Sequence, residues 1–205
     1  MIGGFCLALI AADETVHMAR MFLREPWTPK SQRPTRRLLA SIARHEAAYE
    51  RAGNADKAGA EIERYLAVFR DAMNEHGSTT VYSDLSVGYH WCCAFVYYCC
   101  LQAGFCFPPK PVPGSRTTLA AVPAWYEWAS GEGFYHPATE SLARVGDIAL
   151  FNNVYNSNPL DHIGVVVEVA PTFVLCAEGN LGNRTGFFER PYSCIAGYVR
   201  LPESV

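Results

Sequence analysis

The chain has 205 residues, half of them apolar and 18% charged, with a formal net charge of -3. Such a composition excludes a disordered chain and leaves room for a full hydrophobic core. The mild negative charge gives no electrostatic case for nucleic acid or for an anionic membrane surface as a partner.

The first twelve residues, MIGGFCLALIAA, have the apolar centre of a secretion signal but no basic leader and no A-x-A site before Asp13 and Glu14. The segment is expected to be a packed N-terminal piece. It falls short of the roughly 20 apolar residues of a membrane span. The compartment stays open. A helix is expected over 13–24, closed by a linker at Pro26, Pro29 and Pro34. A second runs from Thr35 to about Ala52, with Leu38, Leu39, Ile42 and Tyr49 along one side. A third, capped by Asp56, carries Ile62, Tyr65, Leu66, Phe69 and Met73 at helical spacing and stops at Gly77. Residues 1–77 therefore read as a helical region that acts as scaffold or lid, with no chemistry assigned to it.

The polar turn GSTTVYSD opens the rest of the chain, 78–205, where aromatic residues and cysteines rise over 89–106. A helix over 91–104, a proline-rich loop and a helix over 117–129 come next. Short apolar runs then read as strands: DIALF at 147–151, HIGVVVEV at 162–169, FVLCAE at 173–178 and AGYVRL at 196–201. One cysteine-bearing helix followed by a run of strands predicts an α+β fold, with helices packed on one side of an antiparallel sheet.

Five of the eight cysteines crowd into 92–106. Neighbours on a helix point their Cβ vectors apart, so disulfides within Cys92–Cys93 or Cys99–Cys100 are geometrically poor. No C-x-x-C pair offers zinc its usual spacing, and no metal is expected. Cys99, Cys100, Cys106, Cys176 and Cys194 read as packing, because free cysteine is among the most buried residue types.

Cys92 differs because it falls where the extended segment SVGYHW turns into a helix. Free backbone N–H groups and the helix dipole there lower a thiol's pKa, and the same donors can hold an oxyanion. A thiolate nucleophile also needs a base, and the base an orienter. His162 opens the most β-prone run of the chain, while Glu178 and Asn180 close the next strand. In an antiparallel hairpin the start of one strand lies beside the end of the next. Either Glu178 or Asn180 could accept a hydrogen bond from His162 Nδ1–H and fix its tautomer. His90 flanks the cleft as an alternative base. Trp91 and Trp125 are candidates to line a substrate groove. Asp147 reads as a structural turn residue.

Four segments in this order resemble the CHAP family of cysteine, histidine-dependent amidohydrolases and peptidases: W-C-C-A-F-V at 91–96, G-D-I-A-L-F at 146–151, H-I-G-V-V at 162–166 and E-G-N at 178–180. The likeness covers roughly 78–201. It implies a papain-like fold, in which a catalytic helix packs on an antiparallel sheet. It also implies Cys92 as nucleophile, His162 as general base, Glu178 as its orienter and Asn180 as a further polar member. The implied substrate is an amide bond of bacterial peptidoglycan. Cys93 stands where the family usually has a small residue. The Asp-rich calcium loop of some members is reduced here to Asp84, so no calcium is expected. NlpC-type cell-wall endopeptidases, with D-C-S-G at the nucleophile and a third-member histidine, are one rival. A catalytically silent papain-like binding or scaffold domain is the other.

Overall fold

A computed structural model describes residues 33–203. The N-terminal apolar segment, the expected helix over 13–24, Cys6, Pro26 and Pro29 lie outside the described residues.

Helix α1 spans Arg36–Ala47. The Thr35 hydroxyl caps it by accepting the Leu38 N–H at 3.1 Å, and Leu39, Ala40, Ala43 and Ala47 form its buried face. It stops five residues short of the expected end, and Glu50 then turns with φ of 49°. Asp56 does not cap the next helix. The Asn54 side chain takes the N–H groups of both Asp56 and Ala58 at 3.0 Å, which ties 54–58 into a turn. Helix α2 therefore begins later, at Glu63, and runs to Gly77, with Ser78 as left-handed C-cap. Its residues Tyr65, Leu66 and Phe69 are buried, as their spacing requires.

Helix α3 spans Cys92–Gln102 and helix α4 spans Val122–Gly131. Helix α3 has apolar residues on nearly all sides because it lies inside the molecule, in the same core as α1, α2 and one face of the sheet. Helix α4 starts five residues later than its apolar pattern, at Val122 beside Pro123, a residue suited to a first helical turn.

The sheet has six antiparallel strands: β1 Tyr135–Pro137, β2 Ile148–Phe151, β3 His162–Val169, β4 Phe173–Leu181, β5 Arg184–Pro191 and β6 Ile195–Val199, in the spatial order β1-β6-β2-β3-β4-β5. This is an α+β fold. Strand β3 has the bounds its sequence predicts, while β1 and β5 carry no such signal. Both are edge strands, and proline, charge and shortness, which hide them in sequence, are what an edge tolerates. The β4–β5 turn uses Gly182 and Asn183 at φ of 61° and 59°, the left-handed pair of a tight hairpin.

The two faces of the sheet bury different cores. Leu150, Ile163, Val165 and Ala177 face the helices, while Phe151, Val166, Cys176 and Tyr198 belong to a second, smaller cluster. Residues 51–53 run along the outer edge of β5. Arg51 accepts the Thr185 N–H at 2.9 Å, and Gly53 donates its N–H to Asn183 at 2.9 Å. Residues 36–77 thus share a core with α3, and 51–53 cover an otherwise exposed strand edge.

Candidate active site

Cys92 is the first residue of α3. Trp91 occupies the N-cap position with no side-chain cap, so the first-turn N–H groups are left for other acceptors. The loop before it is fastened from below. Arg70 of α2 donates through Nη1 to the carbonyls of Tyr82 and Val87 at 3.0 and 2.9 Å, while Glu63 grips its Nε and Nη2 at 2.7 and 2.6 Å. The loop that leads into Cys92 is thus held by a buried charge clamp from α2.

His162 opens β3 and is fully buried. Its Nε2 meets Glu178 Oε2 at 2.9 Å. This corrects the expectation that Nδ1 would face the orienter: Glu178 engages Nε2, which leaves Nδ1 for the thiol. Nδ1 is buried with no hydrogen-bond partner, and the Cys92 thiol lies near enough to act on the charge of the ring. The chain of contacts is Cys92–His162–Glu178.

Electrostatics follow this chain. The Cys92 thiol is held well below its ordinary value by a hydrogen bond from the Cys93 thiol, then, against burial, by the hydrogen bond and charge of His162 and by the Cys93 N–H. Burial lowers the tendency of His162 to hold a proton, but bonds to Cys92 and Glu178 outweigh it and push the ring up to about 9. Both directions favour a thiolate–imidazolium pair. Cys93, Cys99, Cys100 and Cys176 are pushed the other way, burial being the largest cause in each. All seven described cysteines are free. Cys106 is exposed, contrary to a packing role, because it lies in the loop past α3, while Cys194 is half-exposed and packs against the smaller cluster.

Two residues that sequence reading missed shape the site. Arg190 of β5 donates Nε to Glu178 Oε1 at 2.8 Å and Nη2 to Oε2 at 2.6 Å, so the fully buried carboxylate is paired on both oxygens. Its strand had no signal, which hid it. Tyr155 lies flat against the His162 ring, with centroids 6.2 Å apart and planes 9° apart, and Phe151 is stacked on the same ring at 6.0 Å. The Tyr155 loop is held by the Asp161 carboxylate, which takes the N–H groups of Val154, Tyr155 and Asn156 at 2.8 to 3.0 Å. Cys92 is 8% exposed, so access is narrow.

Asn180 sits in a bulge of β4 with φ of 64°, which breaks simple strand alternation. Its amide approaches His90 Nδ1 at 3.4 Å, and its Oδ1 is buried without a partner. Glu178, not Asn180, meets His162. His90 meets Lys57 and Asn180, and no contact joins it to Glu178 among the described residues.

The tryptophans are corrected outright. Trp91 and Trp125 are fully buried and cannot line an open groove. Trp91 stacks on Tyr65 at 5.7 Å and donates its indole N–H to Asn183, while Trp125 donates to the Leu119 carbonyl. Gly179 lies so close to Trp91 and Phe95 that an added Cβ would meet their atoms within 2.7 Å. Backbone contact between β4 and α3 here brings Glu178 and Cys92 to one end of the molecule. Asp147 is structural, as expected. Its carboxylate takes Arg200 Nε and Nη2 at 2.9 and 2.7 Å and the Arg144 N–H at 2.9 Å.

Residues 84–180 match the family model of the CHAP domain. The chain carries a CHAP domain. No curated protein and no solved structure matches it. CHAP domains are generally amidases or peptidases, which ties this one to peptidoglycan-related hydrolysis. The match begins after α2 and ends at Asn180, so Lys57, Arg70 and Arg190 all come from outside it.

Proposed function

We propose that this protein is a papain-like cysteine amidohydrolase or peptidase that cleaves an amide bond of bacterial peptidoglycan. The observation that carries the reading is a thiol beside a histidine whose Nδ1 has no other partner and whose other nitrogen rests on a buried, arginine-held carboxylate. Such a set has one chemical use beyond packing, which is nucleophilic attack with proton delivery.

Cys92 thiolate adds to the amide carbonyl, and first-turn N–H groups of α3 take the oxyanion. The C–N bond breaks as His162 gives its proton to the leaving amine, leaving a thioester on Cys92. Neutral His162 then accepts a proton from water, whose oxygen attacks the thioester. The carboxylic product leaves, and thiolate and imidazolium are restored. Glu178 keeps the ring oriented and favours its cationic form. Asn180 is a further polar group of the site. Helices α1 and α2 serve as scaffold, since their side chains share the core and fasten the loop before Cys92.

Purified sacculi incubated with wild type and with Cys92→Ala, followed by mass spectrometry, test the reading. Fragments that depend on Cys92 are expected, and their termini identify the bond. Release of the same fragments by Cys92→Ala would overturn it. A Cys92 that alkylates no faster than buried Cys99 would favour the silent binding domain instead.

A further inference from the structure

Outside the family match, one cation is held at the edge of the site. Lys57 sits at the tip of the 54–58 turn, which Asn54 fixes through two side-chain hydrogen bonds and which lies tight against Gly88. Its own φ is 56°, a left-handed conformation unusual for lysine, so the turn rather than local preference sets its position. The ammonium lies 3.1 Å from His90 Nε2 and 3.4 Å from Nδ1. It forms no ion pair with a described residue, the adjacent Asp56 included. Burial, and then the Lys57 charge, hold the His90 ring below the ordinary histidine value. One ring nitrogen uses one of three ammonium donors, and the others are left unfilled.

His90 connects this cation to the chemistry. It stands two residues before Cys92, touches the Asn180 amide at 3.4 Å, and packs edge-on against Tyr155 at 5.2 Å. Tyr155 in turn stacks on His162. One end of the buried Asn180 amide has no partner and calls for a substrate amide group. A peptide that places a backbone amide group at Asn180 and an anion at Lys57 satisfies both groups.

We propose that Lys57 and Asn180 form a subsite for a peptide carboxylate, so that the preferred substrates carry a free or side-chain carboxylate close to the scissile amide. The inference rests on Cys92 being the nucleophile of this cleft and names the substrate class.

Alkylation of Cys92 in the full chain by iodoacetate and by iodoacetamide tests it without a wall substrate, with Cys92→Ala identifying the modified position. The ratio of the two rates is the readout, since thiolate fraction and access affect both reagents alike. Wild type should favour the anionic reagent relative to Lys57→Met by about fivefold at low salt, the size of one exposed charge pair. Lys57→Arg should retain the preference, and added salt should erase it. Equal ratios in wild type and Lys57→Met would overturn the subsite while leaving the nucleophile intact. No alkylation of wild type by either reagent would overturn both readings. Protection of Cys92 by short acetylated peptides locates the carboxylate. Those with a free C-terminus and those with only an acidic side chain should protect differently, and protection equal to that of uncharged carboxamide peptides would overturn the subsite.

Discussion

Among the buried carboxylates held by arginine, Glu63 and Glu178 are gripped in nearly the same way. Glu63 takes Arg70 Nε and Nη2 at 2.7 and 2.6 Å, and Glu178 takes Arg190 Nε and Nη2 at 2.8 and 2.6 Å. The difference lies in what each pair touches next. Arg70 spends its remaining donors on loop carbonyls, and that clamp is closed. Glu178 has His162 as a further partner, and the ring keeps one nitrogen toward a thiol. In the proposed mechanism the same ion pair that is a fastener in one region supports a proton relay in the other. Geometry of the pair alone does not tell structure from chemistry; an adjacent titratable group with an open position does.

The sharpest way to break this comparison is to remove the thiol. Cys92→Ala should abolish hydrolysis of sacculi while thermal unfolding stays near wild type, and residual wild-type turnover would deny the relay its role. Next in size, Arg70→Met leaves Glu63 buried and unpaired. It should lower unfolding stability by about 3–5 kcal/mol, measured by denaturant titration. A loss under 1 kcal/mol would mean that the closed clamp does not fasten the loop.

Glu178→Gln sharpens the other half. It keeps the shape but removes the charge beside His162, and kcat/KM should fall about a hundredfold. The pH profile carries the sign. His162 has its pKa raised from 6.5 to about 9, so its protonated form stabilises the fold fully below the lower value. That contribution is lost as pH rises through about 9, and activity should fall over the same range as the leaving amine loses its proton donor. In Glu178→Gln the upper limb should move toward the ordinary histidine range; an unmoved limb would assign it to another group. The smallest effect is expected at Gly179→Ala, where the new methyl presses on Trp91 and Phe95. Overpacking there should cost about 1–3 kcal/mol and lower the melting temperature.

Much of the site was legible because each residue sits where local chemistry leaves a mark. Cys92 falls at an extended-to-helix junction, His162 opens a strand of pure β character, and Glu178 closes the next one. Helix spacing likewise marked α1 and α2. Their ends were less legible, because Asn54 and Ser78 fix boundaries through side-chain capture and a left-handed turn rather than apolar spacing.

The sequence by itself determined the α+β order of elements, the family of the segment from 84 to 180, and the triplet of groups that could react. Those are properties of periodicity and short-range motif, which survive without contacts. Tertiary structure decided which histidine nitrogen meets Glu178, that Arg190 from an unmarked edge strand stands behind it, that Trp91 and Trp125 are core, and that Lys57 reaches His90 from outside the family segment. Each of these joins residues far apart along the chain, and side-chain direction across a sheet or around a turn is set only when the elements pack.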